Sequence, residues 1–137
     1  MRDGMGRASS EGGQPALRVL VVDDDSQQLA MVERSLRLHG FEVATSAEPI
    51  GVSSIAMDFE PDIVLFDVNI PALSGDRLLS IVRRHTPART RMVLFSACDV
   101  STLRRLASDV KADGWITKSV EGIELARQLR KICEKGR

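Results

Sequence analysis

Four short apolar runs recur along this chain, and each ends on a polar residue. Leu17 to Val22 runs into Asp23–Asp24–Asp25, Ile63 to Phe66 into Asp67, Met92 to Phe95 into Ser96, and Trp115–Ile116–Thr117 into Lys118. Runs of this length without alternation suit strands buried on both faces of a parallel sheet. Phe41 to Thr45 alternates instead, as a strand nearer the sheet edge does. Between the strands the period shifts to that of helices. The first helix is predicted over about 26–38, with Ser26 as N-cap, Leu29, Val32 and Leu36 as its apolar stripe, and Gly40 beyond its end. A weaker helix follows over about 48–58, with Pro49 in its first turn and Gly51 weakening it. Pro61–Asp62 leads into the third strand. Pro71 and Gly75 bracket a loop, and Ser74 can open a helix to about His85. Asp99 or Ser101 caps the fourth helix, Lys111 to Gly114 turns into the fifth strand, and the last helix covers about 120–134 with Val120, Ile123, Ala126 and Leu129 in a stripe.

Strict alternation of strand and helix predicts a three-layer α/β sandwich around a parallel sheet, with right-handed crossovers placing helices on both faces. In such sheets ligands bind at the carboxyl ends of the strands. If the four runs are neighbours, one small surface gathers carboxylates, a hydroxyl and an ammonium, a set able to hold a divalent cation and a phosphoryl group.

Composition changes this picture little. The 137 residues suit one domain, with 43% hydrophobic and 28% charged positions. Residues 1–16, rich in Gly and Ser, read as a flexible N-terminal tail, and 17–137 as the domain. Nineteen basic residues balance nineteen acidic ones, so net charge predicts no direct nucleic-acid partner. Arg83, Arg84, Arg89 and Arg91 form a basic patch at a helix-to-strand turn, on the end of the sheet away from the carboxylates. Cys98 and Cys133 match no metal spacing and read as buried thiols; with no signal-peptide core, a cytoplasmic location follows. No apolar stretch approaches the roughly 20 residues that span a bilayer, so no membrane role is expected. His39 and His85 fall at helix ends, away from the carboxylates.

The segments Val21–Val22–Asp23–Asp24–Asp25, Asp67 to Gly75, Phe95–Ser96–Ala97 and Ala112 to Lys118, in this order and at strand ends, closely resemble the receiver domain of bacterial two-component response regulators. The resemblance runs from Leu17 to about Cys133. It implies a flavodoxin-like, doubly wound five-stranded parallel sheet of order 2-1-3-4-5 with five helices. It also implies that Asp67 is the phosphoacceptor, charged by a histidine kinase or histidine phosphotransfer protein. Asp24 and Asp67 would bind Mg²⁺ (or Mn²⁺) directly, Asp23 through water, and Asn69 through its backbone carbonyl. Asp25 is left as a spare carboxylate facing solvent. Lys118 would be the phosphate counter-ion, Ser96 the hydroxyl that donates to a phosphoryl oxygen, and Trp115 the switch aromatic. Such a module is a switch rather than an enzyme, with slow self-catalysed phosphorylation and dephosphorylation; Asn69 and Cys98, each two residues beyond a site residue, would tune the lifetime. The resemblance also implies that partners would dock on the fourth helix, fifth strand and fifth helix, and that the phosphorylated form could dimerise.

One departure stands out: Ser119 follows Lys118 where the family usually has a proline after a cis peptide. A cis bond before a non-proline costs about 2.5–4 kcal/mol, so a trans bond and a shifted loop are expected. Competing readings fit less well. An aspartyl phosphohydrolase of this fold would carry a second carboxylate where Asn69 stands, and a flavodoxin-like cofactor site would not put three aspartates in its anion loop. A phosphorylation-independent interaction module, or a receiver piece of a longer regulator or hybrid kinase, stays open.

Overall fold

The computed structural model describes residues 15–48, 50–68 and 75–134. Its elements follow one another as β1 (Arg18–Val22), α1 (Ser26–Leu38), β2 (Glu42–Ser46), α2 (Val52–Phe59), β3 (Ile63–Phe66), α3 (Gly75–Arg84), β4 (Arg91–Ser96), α4 (Val100–Val110), β5 (Gly114–Thr117) and α5 (Gly122–Glu134). All strand pairs are parallel, and the sheet order is β2-β1-β3-β4-β5.

Because side chains alternate across a strand, each apolar run feeds two cores. Val19, Val21, Ile63, Leu65, Val93, Phe95 and Ile116 pack against Leu29, Val32 and Leu36 of α1 and Leu125, Ala126 and Leu129 of α5. Leu20, Val22, Val64, Phe66, Met92 and Leu94 pack against residues of α2, α3 and α4. β1, β3 and most of β4 are buried throughout, as their unbroken apolar runs require.

Several boundaries differ from the sequence expectation. The N-cap of α1 is Asp25, whose carboxylate accepts from the N–H groups of Gln27 and Gln28; Ser26 is the first helical residue. Helix α2 starts at Val52, later than predicted, because Gly51 before it takes the left-handed backbone (φ +91°), which ends a helix rather than continuing it. Helix α5 starts at Gly122, also left-handed (φ +62°), so Val120 lies in the preceding turn, its N–H on the Thr117 carbonyl. Ile123 is 64% exposed, outside the buried stripe of Leu125, Ala126 and Leu129. A strict three-residue spacing slips by about 60° per step on a 3.6-residue helix, so such a stripe cannot stay on one face. Cys98 and Cys133 are half-buried free thiols rather than fully buried ones. Pro49, Asn69, Pro71 and Ser74 lie outside the described residues.

Candidate functional site

β1 and β3 are hydrogen-bonded neighbours in register, Val22 beside Phe66, so the next residue of each, Asp23 and Asp67, emerges at the same end of the sheet. Their backbones are fixed before their side chains act. The Asp23 N–H donates to the Ser46 carbonyl (3.1 Å) and the Asp67 N–H to the Val22 carbonyl (3.1 Å). Both residues are buried, Asp23 2% and Asp67 7% exposed, while Asp24 is exposed. One carboxylate oxygen from each of Asp23, Asp24 and Asp67 lies within 4.8 Å of the others.

Lys118 arrives from the end of β5. Its backbone N–H donates to the Ser96 carbonyl (2.9 Å), which ties the β5 end to the β4 end. Its Nζ donates to Asp23 Oδ2 (2.7 Å) and Asp67 Oδ2 (3.0 Å), a double ion pair with the lysine side chain 17% exposed. The Phe95 ring lies 5.9 Å from the ammonium. Burial by itself pushes the Lys118 pKa down, but the hydrogen bonds to Asp23 and Asp67 outweigh it and hold it above the ordinary lysine value. No peptide among the described residues is cis, so Lys118–Ser119 is trans as expected, and the lysine reaches the carboxylates all the same. The Ser119 hydroxyl pairs with that of Thr117 (2.8 Å) across the turn that carries Lys118.

Ser96 is fully buried at the end of β4, its Oγ accepting from the Cys98 N–H (3.3 Å). Trp115 is half-buried on the α2–α3–α4 side of the sheet, with the Arg104 guanidinium 5.8 Å from its ring. It forms part of a groove of about 610 Å³ between α4, β5 and α5, lined also by Arg104, Lys111, Asp113, Glu124 and Gln128. The basic patch lies at the opposite end of the sheet, with Arg83, Arg84 and Arg89 exposed and Arg91 half-buried.

The structure thus brings Asp23, Asp24, Asp67, Lys118 and the Ser96 backbone together, and sets Trp115 apart on the α4 face. The direct Asp23–Lys118 bond and the cap made by Asp25 were absent from the sequence reading. A run of three aspartates does not say which one turns towards the helix. Chemically, three clustered carboxylates, two of them paired with a single ammonium, form a hard-oxygen donor set with negative charge in excess, which fits Mg²⁺ or Mn²⁺.

A parallel five-stranded sheet ending in an acidic cluster with a lysine opposite defines a receiver domain. The family model described as the response regulator receiver domain matches residues 19–130, and the chain belongs to that family. Among curated proteins, the transcriptional regulatory protein PrrA of Mycobacterium tuberculosis is 34% identical over 118 residues, covering 86% of this chain and 50% of that protein. The transcriptional regulatory protein KdpE of the same species is 31% identical over 112 residues, covering 82% of this chain and 49% of its own length. The chain therefore spans about half the length of these relatives. Among solved structures, a response regulator from Chloroflexus aurantiacus superposes with a TM-score of 0.76 at 27% identity, over 88% of this chain and 99% of that one. The chemotaxis response regulator CheY4 of Vibrio cholerae gives 0.74 at 25% identity, over 85% and 98%. Among the described residues no helix is long and apolar enough to cross a membrane.

Proposed function

We propose that this receiver domain accepts a phosphoryl group on Asp67 from the phosphohistidine of a histidine kinase or histidine phosphotransfer protein. The observation that carries this reading is the joint pairing of Lys118 with Asp23 and Asp67, beside an Asp24 close enough to share a cation with both. In the transfer an Asp67 carboxylate oxygen forms a bond to phosphorus as the donor's P–N bond breaks, and the departing imidazole takes up a proton. Asp23, Asp24, Asp67 and the backbone carbonyl of Asn69 would hold Mg²⁺ or Mn²⁺, which supplies the positive charge needed for phosphoryl oxygens to approach carboxylates. Lys118 shifts its ammonium from the carboxylates to a phosphoryl oxygen, and the Ser96 hydroxyl donates to another.

The product adds about −1.5 to −2 of charge at neutral pH. That charge biases a two-state equilibrium in which Ser96 and Trp115 move together, and the readout is the α4–β5–α5 surface. The mixed-charge groove beside Trp115 supports this surface as the docking face for a protein partner or a second copy. Asn69 and Cys98 tune the lifetime of the phosphoryl group. Since this chain aligns with about half of PrrA and KdpE, both transcriptional regulators, a receiver acting within a longer regulator is the natural setting.

The test is intact-mass spectrometry after incubation with acetyl phosphate and Mg²⁺, with Asp67→Ala alongside. A single phosphoryl adduct that needs both Mg²⁺ and Asp67 is expected. An adduct that persists in Asp67→Ala, or none where a control receiver is labelled, would sink the proposal in favour of a phosphorylation-independent module.

A further inference from the structure

The turn after β1 is held by a short relay of hydrogen bonds with Asp25 at its centre. Asp23 is fixed at its backbone by Ser46 and at Oδ2 by Lys118. Its other oxygen, Oδ1, accepts the N–H of Asp25 (3.0 Å). Asp25 in turn belongs to the helix: its Oδ1 accepts from Gln27 N (3.0 Å) and Gln28 N (3.2 Å), and its carbonyl accepts from Leu29 N (3.0 Å). Asp24 lies between these two anchors, exposed, with no side-chain bond to the described residues.

We infer that Asp25 is a positioning residue for the cation site: by capping α1 it fixes the N–H that orients Asp23 and the backbone that aims Asp24. The inference rests on the reading of Asp23, Asp24 and Asp67 as cation ligands. The physical argument is local. An N-cap residue has extended backbone, here φ −91° and ψ 107°, and keeps it because its side chain satisfies helix N–H groups that have no partner within the helix. Without that side chain the same dihedrals are free to relax, and the N–H aimed at Asp23 swings with them. Groups that orient metal ligands from behind are worth about 10–100-fold in metal affinity. The alternative source of any effect is the Asp25 charge, which would attract a cation whatever the helix does. The two are separable, because Asn and Ser cap as well as Asp while carrying no charge.

The experiment uses the full chain and Mn²⁺ alone, with free Mn²⁺ counted by its electron paramagnetic resonance signal at physiological ionic strength. Circular dichroism melts confirm that each variant is folded. Asp25→Asn and Asp25→Ser are expected to bind within about twofold of the unsubstituted protein, and Asp25→Ala about tenfold more weakly. Asp25→Ala binding as tightly as the unsubstituted protein would overturn the inference. So would Asp25→Asn or Asp25→Ser binding as weakly as a folded Asp25→Ala, since charge would then be the cause. If the unsubstituted protein takes up no Mn²⁺, the reading of the site itself fails, and the inference with it.

Discussion

The two ends of the sheet carry similar side chains and treat them in opposite ways. At the N-terminal ends of the strands, carboxylates are spent on backbone. Asp62, just before β3, accepts from the Arg18 N–H (2.8 Å), and Asp113, just before β5, accepts from the Met92 N–H (2.7 Å). Arg18, 1% exposed, donates to the Phe59 carbonyl (2.6 Å), sits 3.4 Å from Glu42 and stacks on the Phe59 ring. Arg130 likewise donates to the His39 carbonyl and covers Phe41. At the C-terminal ends three carboxylates cluster, and one ammonium pairs with two of them, Asp23 and Asp67. The first arrangement holds strands in register; the second stores repulsion that a bound cation would relieve. Equal chemistry in the sequence becomes scaffold at one end and a candidate cation site at the other.

Substitutions can break that contrast. The largest effect is expected at the scaffold end: Arg18→Ala should cost about 3 kcal/mol, by losing a buried cation together with its packing. Urea unfolding reads this, and Mn²⁺ affinity should barely change. If affinity fell in step with stability, the two ends would not be independent.

Lys118→Met should cost about 1–3 kcal/mol without divalent cation, since buried Asp23 loses its partner. More of that loss should be recovered with Mg²⁺ than the unsubstituted protein gains. The pH dependence has a definite sign. With the folded pKa raised above 10.5, the ion pair's contribution is complete below about pH 10.5 and is lost as pH climbs through the raised value. Alkaline melts of Lys118→Met should lack that loss.

Asp24→Asn should act oppositely, raising stability by about 0.5–1 kcal/mol without Mg²⁺ by relieving like-charge crowding. Thermal melts that show it destabilised would remove the notion of stored repulsion. The smallest effect concerns reactivity at the scaffold end. Burial, with the Asp62 charge adding to it, pushes the Cys133 thiol up to about 11. Alkylation at pH 8 should therefore be at least about tenfold slower at Cys133 in the folded protein than in the urea-unfolded chain, as mapped by peptide mass.

Much of the molecule was legible in the chain because buried parallel strands leave so strong a mark. The runs ending at Asp23, Asp67, Ser96 and Lys118 marked the strands and the end of the sheet where these residues meet, and strand order followed from the family resemblance, since periodicity says nothing about which strands are neighbours. What stayed hidden depends on direction rather than position. Asp25 looked redundant because a cap and a solvent-facing carboxylate have the same sequence. Ile123 looked buried because helical phase drifts with spacing. The structural duties of Asp62 and Asp113 lie in bonds to residues 44 and 21 positions away. Each precedes an apolar run, a signal that could have marked them.

Trp115 has a consequence for how this molecule can be watched. It is the sole tryptophan, half in contact with water, roofed by a guanidinium and set on the α2–α3–α4 side of the sheet. Its emission is therefore a local colour, sensitive to wetting and to the Arg104 charge overhead. A change of hue on incubation with a phosphoryl donor would be light sent from the α4 side of the sheet about an event at the acidic cluster, with no dye attached.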